Sequence, residues 1–162
     1  MKTTATSIAA TQLGFNAMIA ARNTAGITHE ESLVAAPNGH NMNWVFGHVV
    51  AVRCKFLPGL GQESPWSEEQ AAPYRRAIPL EDATQHLPFE EIARAFAITQ
   101  ERILAGLEPL TEEDLAKPAP FSPGKQQETI GSLLATITIH DAYHLGQTGI
   151  LRKVCGKEGA IR

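Results

Sequence analysis

Apolar residues recur at intervals of three and four along four stretches of the chain, which is the spacing of helices that bury one side. The pattern predicts long helices over residues 6–23, 42–57, 89–107 and 129–154. Four helices of this length, joined by both long and short connections, predict an all-α protein with the architecture of a four-helix bundle.

The apolar side of each predicted helix should face the interior of the bundle. For the first helix, we expect the inward positions to be Ile8, Leu13, Phe15, Met18 and Ile19. For the second helix, the inward positions spaced by three and four are Val45, His48, Val49, Val52 and Phe56. In the last helix, Ile130, Leu133, Leu134, Ile137 and Leu151 form the apolar stripe.

The connections carry capping and turn signals. Thr28 with Glu31, and Thr111 with Asp114, have the three-residue spacing of a capping box at a helix start. The proline-rich stretch 58–88 predicts an irregular connection with a short helical turn near residues 80–86. Connections this long in a compact domain are usually functional or packed as lids. Residues 117–127 predict a second linker with a hairpin-like loop.

Length and composition narrow the class of protein. The 162 residues suffice for one domain with its own core, so we treat residues 1–162 as a single domain. The net charge is −3 and no Lys/Arg cluster is present, which argues against a nucleic-acid partner. No apolar run approaches the length of a membrane-spanning helix, so no membrane association is expected. Without a recognisable secretory signal, a cytoplasmic location is the default expectation.

His140 and His144 are the sharpest chemical feature of the sequence. Residues four apart share one face of a helix, so two imidazoles at this spacing can bind one metal ion. The segment reads HDAYH, and it lacks the glutamate that supplies the general base of HExxH metalloproteases. Both histidines continue the stripe of Leu133 and Ile137, which should face the core. A shared cation would satisfy two buried imidazoles that would otherwise lack partners.

A stable site needs a third ligand, and His48 on the apolar stripe of the second helix is the best candidate. Two alternatives remain open: a lone core histidine is often simply hydrogen-bonded, and a histidine pair four apart also occurs on helix surfaces. His29, His40 and His86 fall in predicted turns or linkers, where a solvated surface position is expected.

Cys54 and Cys155 show no CxxC spacing, which argues against a disulfide framework. We interpret them as small apolar fillers of helix faces. A reactive thiol stays open as the alternative, since each cysteine lies within a few helical turns of a candidate metal ligand.

Two stretches resemble the DinB/YfiT-like superfamily of metal-binding four-helix proteins. NWVFGHVVAVRCKFL, over residues 43–57, is similar to the family's second helix with its W-x-x-G-H pattern. HDAYHLGQTGILRK, over residues 140–153, is similar to its fourth helix with the pattern H-x-x-x-H-x-G-Q. In this order, and with the helices around them, the two motifs extend the resemblance over nearly the whole chain.

The resemblance implies a bundle of up-down-down-up topology, with residues 58–88 as the long crossover connection. It implies metal ligands at His48, His140 and His144, with nickel or zinc as common occupants, and it implies frequent homodimers. The family includes thiol-dependent S-transferases and isomerases, proteins regarded as metal-dependent hydrolases, and members without an assigned activity.

Three histidines leave at least one coordination position open, as in catalytic zinc sites. The leading hypothesis is a metal-dependent enzyme that activates a low-molecular-weight thiol for transfer to a small electrophile. One alternative is a hydrolase that uses bound hydroxide. The other is a non-enzymatic, stress-related metal-binding scaffold, which would show a fourth protein ligand and no adjoining cavity.

Residues near the histidines have weaker assignments. Asp141 should point about 100° away from His140 and serve another contact. Gln147 either lines the pocket or forms a hydrogen bond between helices. Packing or interface roles are expected for Trp44 and Tyr143, and loop packing for Trp66 and Tyr74. The alternative for the last two is a cover over the mouth of the pocket.

Overall fold

The computed structural model describes residues 4–37, 39–76 and 85–160. Within these ranges the chain is helical, with four long helices and three helices of a single turn. The long helices are α1 (Ala5–Thr24), α3 (Met42–Phe56), α5 (Phe89–Leu107) and α7 (Ile130–Val154). The short ones are α2 (His29–Ser32), α4 (Glu68–Ala71) and α6 (Glu112–Leu115). The predicted all-α helical bundle is confirmed, and the predicted long helices differ from these bounds by one residue at most.

Side-chain caps fix where the helices begin. The predicted capping boxes at Thr28 and Thr111 are both present, each hydroxyl accepting from the backbone N–H three residues later. Thr129 caps α7 in the same way, through Ser132. Such caps satisfy backbone N–H groups that have no partner inside the helix. The starts of these helices are therefore determined by local sequence.

The helix α7 packs between α1 and α3, and α3 packs in turn against α5. The amide of Asn16 donates to the Thr138 carbonyl at 3.1 Å, and that of Asn23 donates to the Leu145 carbonyl at 2.9 Å. From the first hydrogen bond to the second, the residue number increases on both helices. The helices α1 and α7 therefore run in the same direction. The expected up-down-down-up order stays a prediction, because the connection from α3 to α5 includes residues outside the described ranges.

The prediction for the inward side of α1 was wrong for three of its five positions. Leu13 is buried and Ile19 is half-buried against the core, while Ile8, Phe15 and Met18 are 49%, 59% and 37% exposed. Besides Leu13, the buried residues of α1 are Ala9, Asn16, Ala20 and Asn23. The two asparagines account for this rotation, because their amides bond to backbone carbonyls of α7. Small Ala9 and Ala20 lie on the same side.

The central helix of the bundle is α3, in which 13 of the 15 residues are buried. A helix surrounded on all sides in this way is held rigidly by its neighbours. It carries His48 near its midpoint, with Val45 and Val49 in the core on the same helix. The rigid position of α3 fixes the position of that imidazole.

The connection after α3 is more ordered than predicted. A 3₁₀ turn over Leu57–Leu60 continues α3, and a second over Ala72–Tyr74 continues α4. Trp66 and Tyr74 are buried, with exposures of 7% and 0%, so the expected packing within the loop is observed. The predicted helical turn at residues 80–86 lies almost wholly outside the described residues.

The linker before α7 forms the predicted hairpin-like loop. The Ala119 N–H donates to the Glu128 carbonyl, and the Ile130 N–H donates to the Lys117 carbonyl, each at 2.9 Å. An antiparallel bridge joins Pro118 and Thr129 between them. No helix in the described part of the chain combines the length and the apolar character needed to cross a bilayer.

Candidate metal centre

The structure brings together the three histidines that the sequence singled out. His48 comes from α3, and His140 and His144 come from α7. One ring nitrogen from each lies within 4.8 Å of the others. The Nε2 atoms of His48 and His140 are 3.2 Å apart, and the three ring centroids are separated by 4.5–5.0 Å. His48 is buried and the other two are half-buried.

Hydrogen bonds at the far side of two rings orient their Nε2 atoms. The Nδ1–H of His48 donates to the Tyr74 carbonyl at 2.7 Å. The Nδ1–H of His144 donates to Oε1 of Gln147 at 2.6 Å. A neutral imidazole with its proton on Nδ1 keeps a free lone pair on Nε2. Both Nε2 lone pairs are therefore available to a shared cation.

Burial lowers the pKa of His48 and lowers that of His144 to about 4. The neighbouring imidazoles lower both values further, and the positive charge of Arg76 adds to the effect at His48. The hydrogen bonds to Tyr74 and Gln147 oppose these shifts without cancelling them. Both rings are consequently neutral at neutral pH, which is the form that binds a metal ion.

The third ring, His140, has a different neighbour at its Nδ1. This atom is 3.8 Å from Oδ1 of Asp141 and has no hydrogen bond. As expected, Asp141 serves another contact: its Oδ2 accepts from Nε of Arg53 at 2.7 Å, and Nη2 of Arg53 is equally close. Both side chains of this ion pair are fully buried. The pair joins α3 to α7 beside the histidines.

Sequence reasoning missed Arg53. Its guanidinium also donates to Oε1 of Gln100 at 3.0 Å and lies 4.0 Å above the ring centre of Phe96. One signal was available, because Arg53 follows Val45 and Val49 in steps of four along the buried side of α3. A charged residue on an apolar stripe needs a buried partner of opposite charge.

The remaining histidines do not join this group. The expectation that they lie at solvated positions was wrong. His29, His40 and His86 are half-buried. The ring of His40 is 5.5 Å from that of Trp44, and the ring of His86 stacks on Tyr74 at 5.6 Å. Two of these histidines therefore pack against aromatic side chains, which reduces their exposure to solvent.

A cavity of about 420 Å³ opens beside the three histidines. Trp44 forms one wall, stacked on His48 with ring centres 5.1 Å apart and nearly parallel planes. Gln147 and Tyr143 also line the cavity. Of the two alternatives for Gln147, the structure shows the pocket position, and its hydrogen bond goes to His144 on the same helix rather than across helices.

The spacing of the nitrogens suits a transition metal. Ligand nitrogens about 2.0–2.1 Å from a tetrahedral ion lie roughly 3.3 Å from each other. The 3.2 Å between Nε2 of His48 and Nε2 of His140 agrees with this value. Within the described residues, no fourth His, Cys, Asp or Glu joins the group. The three histidines can therefore hold a metal ion and leave part of its coordination shell facing the cavity.

Both cysteines behave as buried apolar residues. Cys54 and Cys155 are 4% and 8% exposed, and burial raises the pKa of each thiol. The Cys155 thiol donates to the Glu31 carbonyl at 3.1 Å. A raised pKa disfavours the thiolate, which is the reactive form. The interpretation as fillers is favoured over that of a reactive thiol.

Together the fold and the site define a helical-bundle protein with a three-histidine centre suited to a metal ion. The sequence profile of the DinB superfamily matches residues 16–148, which is most of the chain. The chain therefore belongs to the DinB superfamily, as the resemblance indicated. No curated protein shows a significant match to it.

Proposed function

We propose that this protein is a metal-dependent enzyme in which a centre of His48, His140 and His144 activates a small thiol for transfer to an electrophile. The observation that carries the proposal is the convergence of three imidazoles at the wall of a 420 Å³ cavity, with no fourth ligand group among the described residues. Zinc and nickel are the proposed occupants, since both bind imidazole well.

The ligand set suits the activation of a thiol. A divalent ion bound there would supply a Lewis acid that favours the deprotonated form of a thiol or a water. Histidine binds a metal ion as the neutral imidazole, so three such ligands would leave the charge of the ion uncompensated. The Tyr74 carbonyl and Gln147 hold two of the rings in the tautomer that points Nε2 inwards. These fixed rings would form a preorganised site.

The walls of the cavity fit the carbon chain of an organic thiol. Val52, Phe121, Leu133 and Ile137 line it beside the histidines. Apolar walls limit access of water to the reacting atoms. Tyr143 and Gln147 add hydroxyl and amide groups that can orient an electrophile.

Hydrolysis is the second candidate, and the same ligand set favours it. A site of three histidines also suits the activation of water, and the cavity is open enough to admit it. The non-enzymatic scaffold is less well supported. It requires a fourth protein ligand and no adjoining cavity. Among the described residues, no fourth His, Cys, Asp or Glu joins the three histidines, and a cavity opens beside them.

Metal binding is tested first, with protein purified without an affinity tag. Zinc or nickel at 100 times the dissociation constant should stabilise the fold by about 2.7 kcal/mol, because only the native state binds the ion. The His144→Ala variant should lose this stabilisation in thermal melts. The matched control His29→Ala replaces a half-buried histidine outside the centre and should keep it. Equal stabilisation of both variants would contradict the proposed ligands.

Activity is tested with the same two variants. Metal-loaded protein is mixed with low-molecular-weight thiols and a chromogenic electrophile such as 1-chloro-2,4-dinitrobenzene. The expected result is a rate that requires both metal and thiol and that His144→Ala abolishes. A metal-dependent cleavage of ester substrates without any thiol would instead favour hydrolysis. No rate above the His144→Ala protein in either assay would overturn the proposal of an enzyme.

A further inference from the structure

A second and larger cavity, of about 930 Å³, adjoins the cavity of the metal centre. The two cavities share five wall residues, namely His48, Val52, Arg76, Phe121 and Pro123. His48 itself lines both cavities, so a ligand at the histidines lies beside the second cavity. Cavities of this size are in the range that holds small organic ligands.

The second cavity is rich in positive charge. Lys55, Arg75 and Arg76 line it, with Glu68 as the single acidic residue of the lining that the structure describes. Arg75 is already paired with Glu68. The chain as a whole carries a net charge of −3, so this concentration of cations departs from the average of the molecule.

Two further cations, Lys55 and Arg76, line the second cavity. The Lys55 amine lies 4.5 Å from the ring centre of Phe121, which holds it at the wall shared by both cavities. Arg76 lines both cavities. Neither side chain forms a salt bridge within the described part of the chain. The wall shared by the two cavities also carries the apolar side chains of Val52, Phe121 and Pro123.

We propose that the second cavity binds the carboxylate end of the thiol whose sulfur lies at the three histidines, with Lys55 and Arg76 as its partners. The inference rests on the proposed function for the position of the thiol, and it adds the class of ligand: an amphipathic thiol acid. The apolar walls contact its carbon chain, and the two cations pair with its charge. Guanidinium and ammonium groups are the usual partners of carboxylates at such sites.

The test compares two thiols that differ only at their far end, 6-mercaptohexanoate and 6-mercaptohexanol. Both are titrated into cobalt-loaded protein, and the thiolate-to-cobalt charge-transfer absorption reports binding at the metal. The acid should bind about tenfold more tightly than the alcohol, as expected for charged hydrogen bonds. The preference should also shrink with added salt, because the paired groups are near the surface.

The variants Lys55→Gln and Arg76→Gln should each reduce the preference to less than about threefold, and the double variant should remove it. Arg94→Gln is the matched control, since Arg94 is an exposed arginine of α5 outside both cavities. It should keep the full preference. Both cations are exposed, so the fold should survive their replacement, and circular dichroism checks this.

The outcomes separate the two proposals. If both thiols give the charge-transfer band with equal dissociation constants, the carboxylate site is overturned and the thiol proposal stays intact. If neither thiol gives a band, the thiol proposal fails, and the carboxylate site is then tested alone. For that purpose, hexanoate and hexanol are titrated into metal-free protein with tryptophan fluorescence as the readout. Trp66 lines the second cavity and Trp44 lines the first, so a signal from the second cavity should be lost in Trp66→Phe. A preference for hexanoate that requires Arg76 would support the site, and no preference would overturn it.

Discussion

Arg53 and Asp141 form an ion pair with both side chains fully buried, and the pair joins α3 to α7 directly beside His140. Two nitrogens of the guanidinium, Nε and Nη2, each lie 2.7 Å from Oδ2 of the carboxylate. These two helices carry all three histidines of the candidate metal centre. The ion pair thus sets the separation of the helices at the place where the ligands meet.

Replacing Asp141 with asparagine should destabilise the fold strongly. The change leaves the Arg53 guanidinium buried without a counter-charge, and breaking a buried pair in this way costs roughly 3 kcal/mol or more. Urea denaturation measures the loss. The control Glu68→Gln breaks the exposed pair with Arg75, which should cost little because solvent screens it. A loss at Asp141 no greater than that at Glu68 would show that the buried pair is not a major support of the bundle.

The helices could be predicted from the sequence because their signals are local. The bounds of α5, Phe89–Leu107, follow from its periodicity and from Pro88 before it. The capping boxes at Thr28 and Thr111 need only residues three apart. The convergence of His48, His140 and His144 could be predicted for a similar reason, since helical phase places each of them on an inward side.

The features that could not be predicted depend on contacts between distant parts of the chain. The inward side of α1 is set by Asn16 and Asn23, whose carbonyl partners are each 122 residues further along the chain. The spacing of apolar residues could not predict this orientation of α1, because two polar residues with specific partners occupy buried positions in the interface with α7. The pairing of Arg53 with Asp141 was likewise invisible, since it requires the packing of α3 on α7.

Removing the acceptor at Gln147 should weaken metal binding without unfolding the protein. In Gln147→Leu, the Nδ1–H of His144 loses its partner at 2.6 Å, so the tautomer that presents Nε2 to the ion is no longer favoured. Loss of such a partner typically costs about tenfold in metal affinity. Competition with a chromogenic chelator measures this change.

The conservative variant Gln147→Glu tests whether the hydrogen bond is responsible. A carboxylate keeps an acceptor at the same position and should restore most of the affinity. If Gln147→Leu and Gln147→Glu weakened binding equally, the hydrogen bond to His144 would not be the reason for the effect. Thermal melts of the metal-free variants should differ little, because the side chain lies at the wall of the cavity.

Adding a methyl group at Gly47 should destabilise the packing around Tyr74, whose carbonyl accepts the hydrogen bond of His48. A Cβ atom there would lie 2.3 Å from two ring carbons of Tyr74. That ring cannot move aside easily, because it is fully buried and its hydroxyl bonds to both Asn43 and the Leu87 N–H. Gly47→Ala should therefore cost about 1–3 kcal/mol, as overpacked cores do.

The glycine at position 146 provides the matched control. Gly146 lies in α7, two residues after His144, and a Cβ atom there meets nothing within 4 Å. In an exposed helix position, alanine is favoured over glycine by roughly 0.5–1 kcal/mol. Gly146→Ala should thus stabilise the fold while Gly47→Ala destabilises it, and urea denaturation of both variants checks the opposite signs. A neutral result at Gly47 would mean that the Tyr74 ring has room to shift.

The homodimer implied by the family resemblance stays a prediction, and the exposed apolar side chains of α7 offer a way to test it. Ile139 and Ile150 are 71% and 69% exposed, although burial of an isoleucine side chain is favourable. If a second copy of the chain covers this side of α7, the double variant Ile139→Glu/Ile150→Glu should be monomeric, because the two carboxylates would be buried without partners. Light scattering coupled to size exclusion measures the mass directly.

The control for this experiment is Ala97→Glu, which adds a carboxylate at an exposed position of α5 and should leave the mass unchanged. Melting of the double variant at low protein concentration should match that of the dissociated parent protein, because neither isoleucine contributes to the core of one chain. A parent protein that is monomeric at every concentration would refute the dimer. A dimer that persists in the double variant would place the interface on another side of the bundle, away from these two residues of α7.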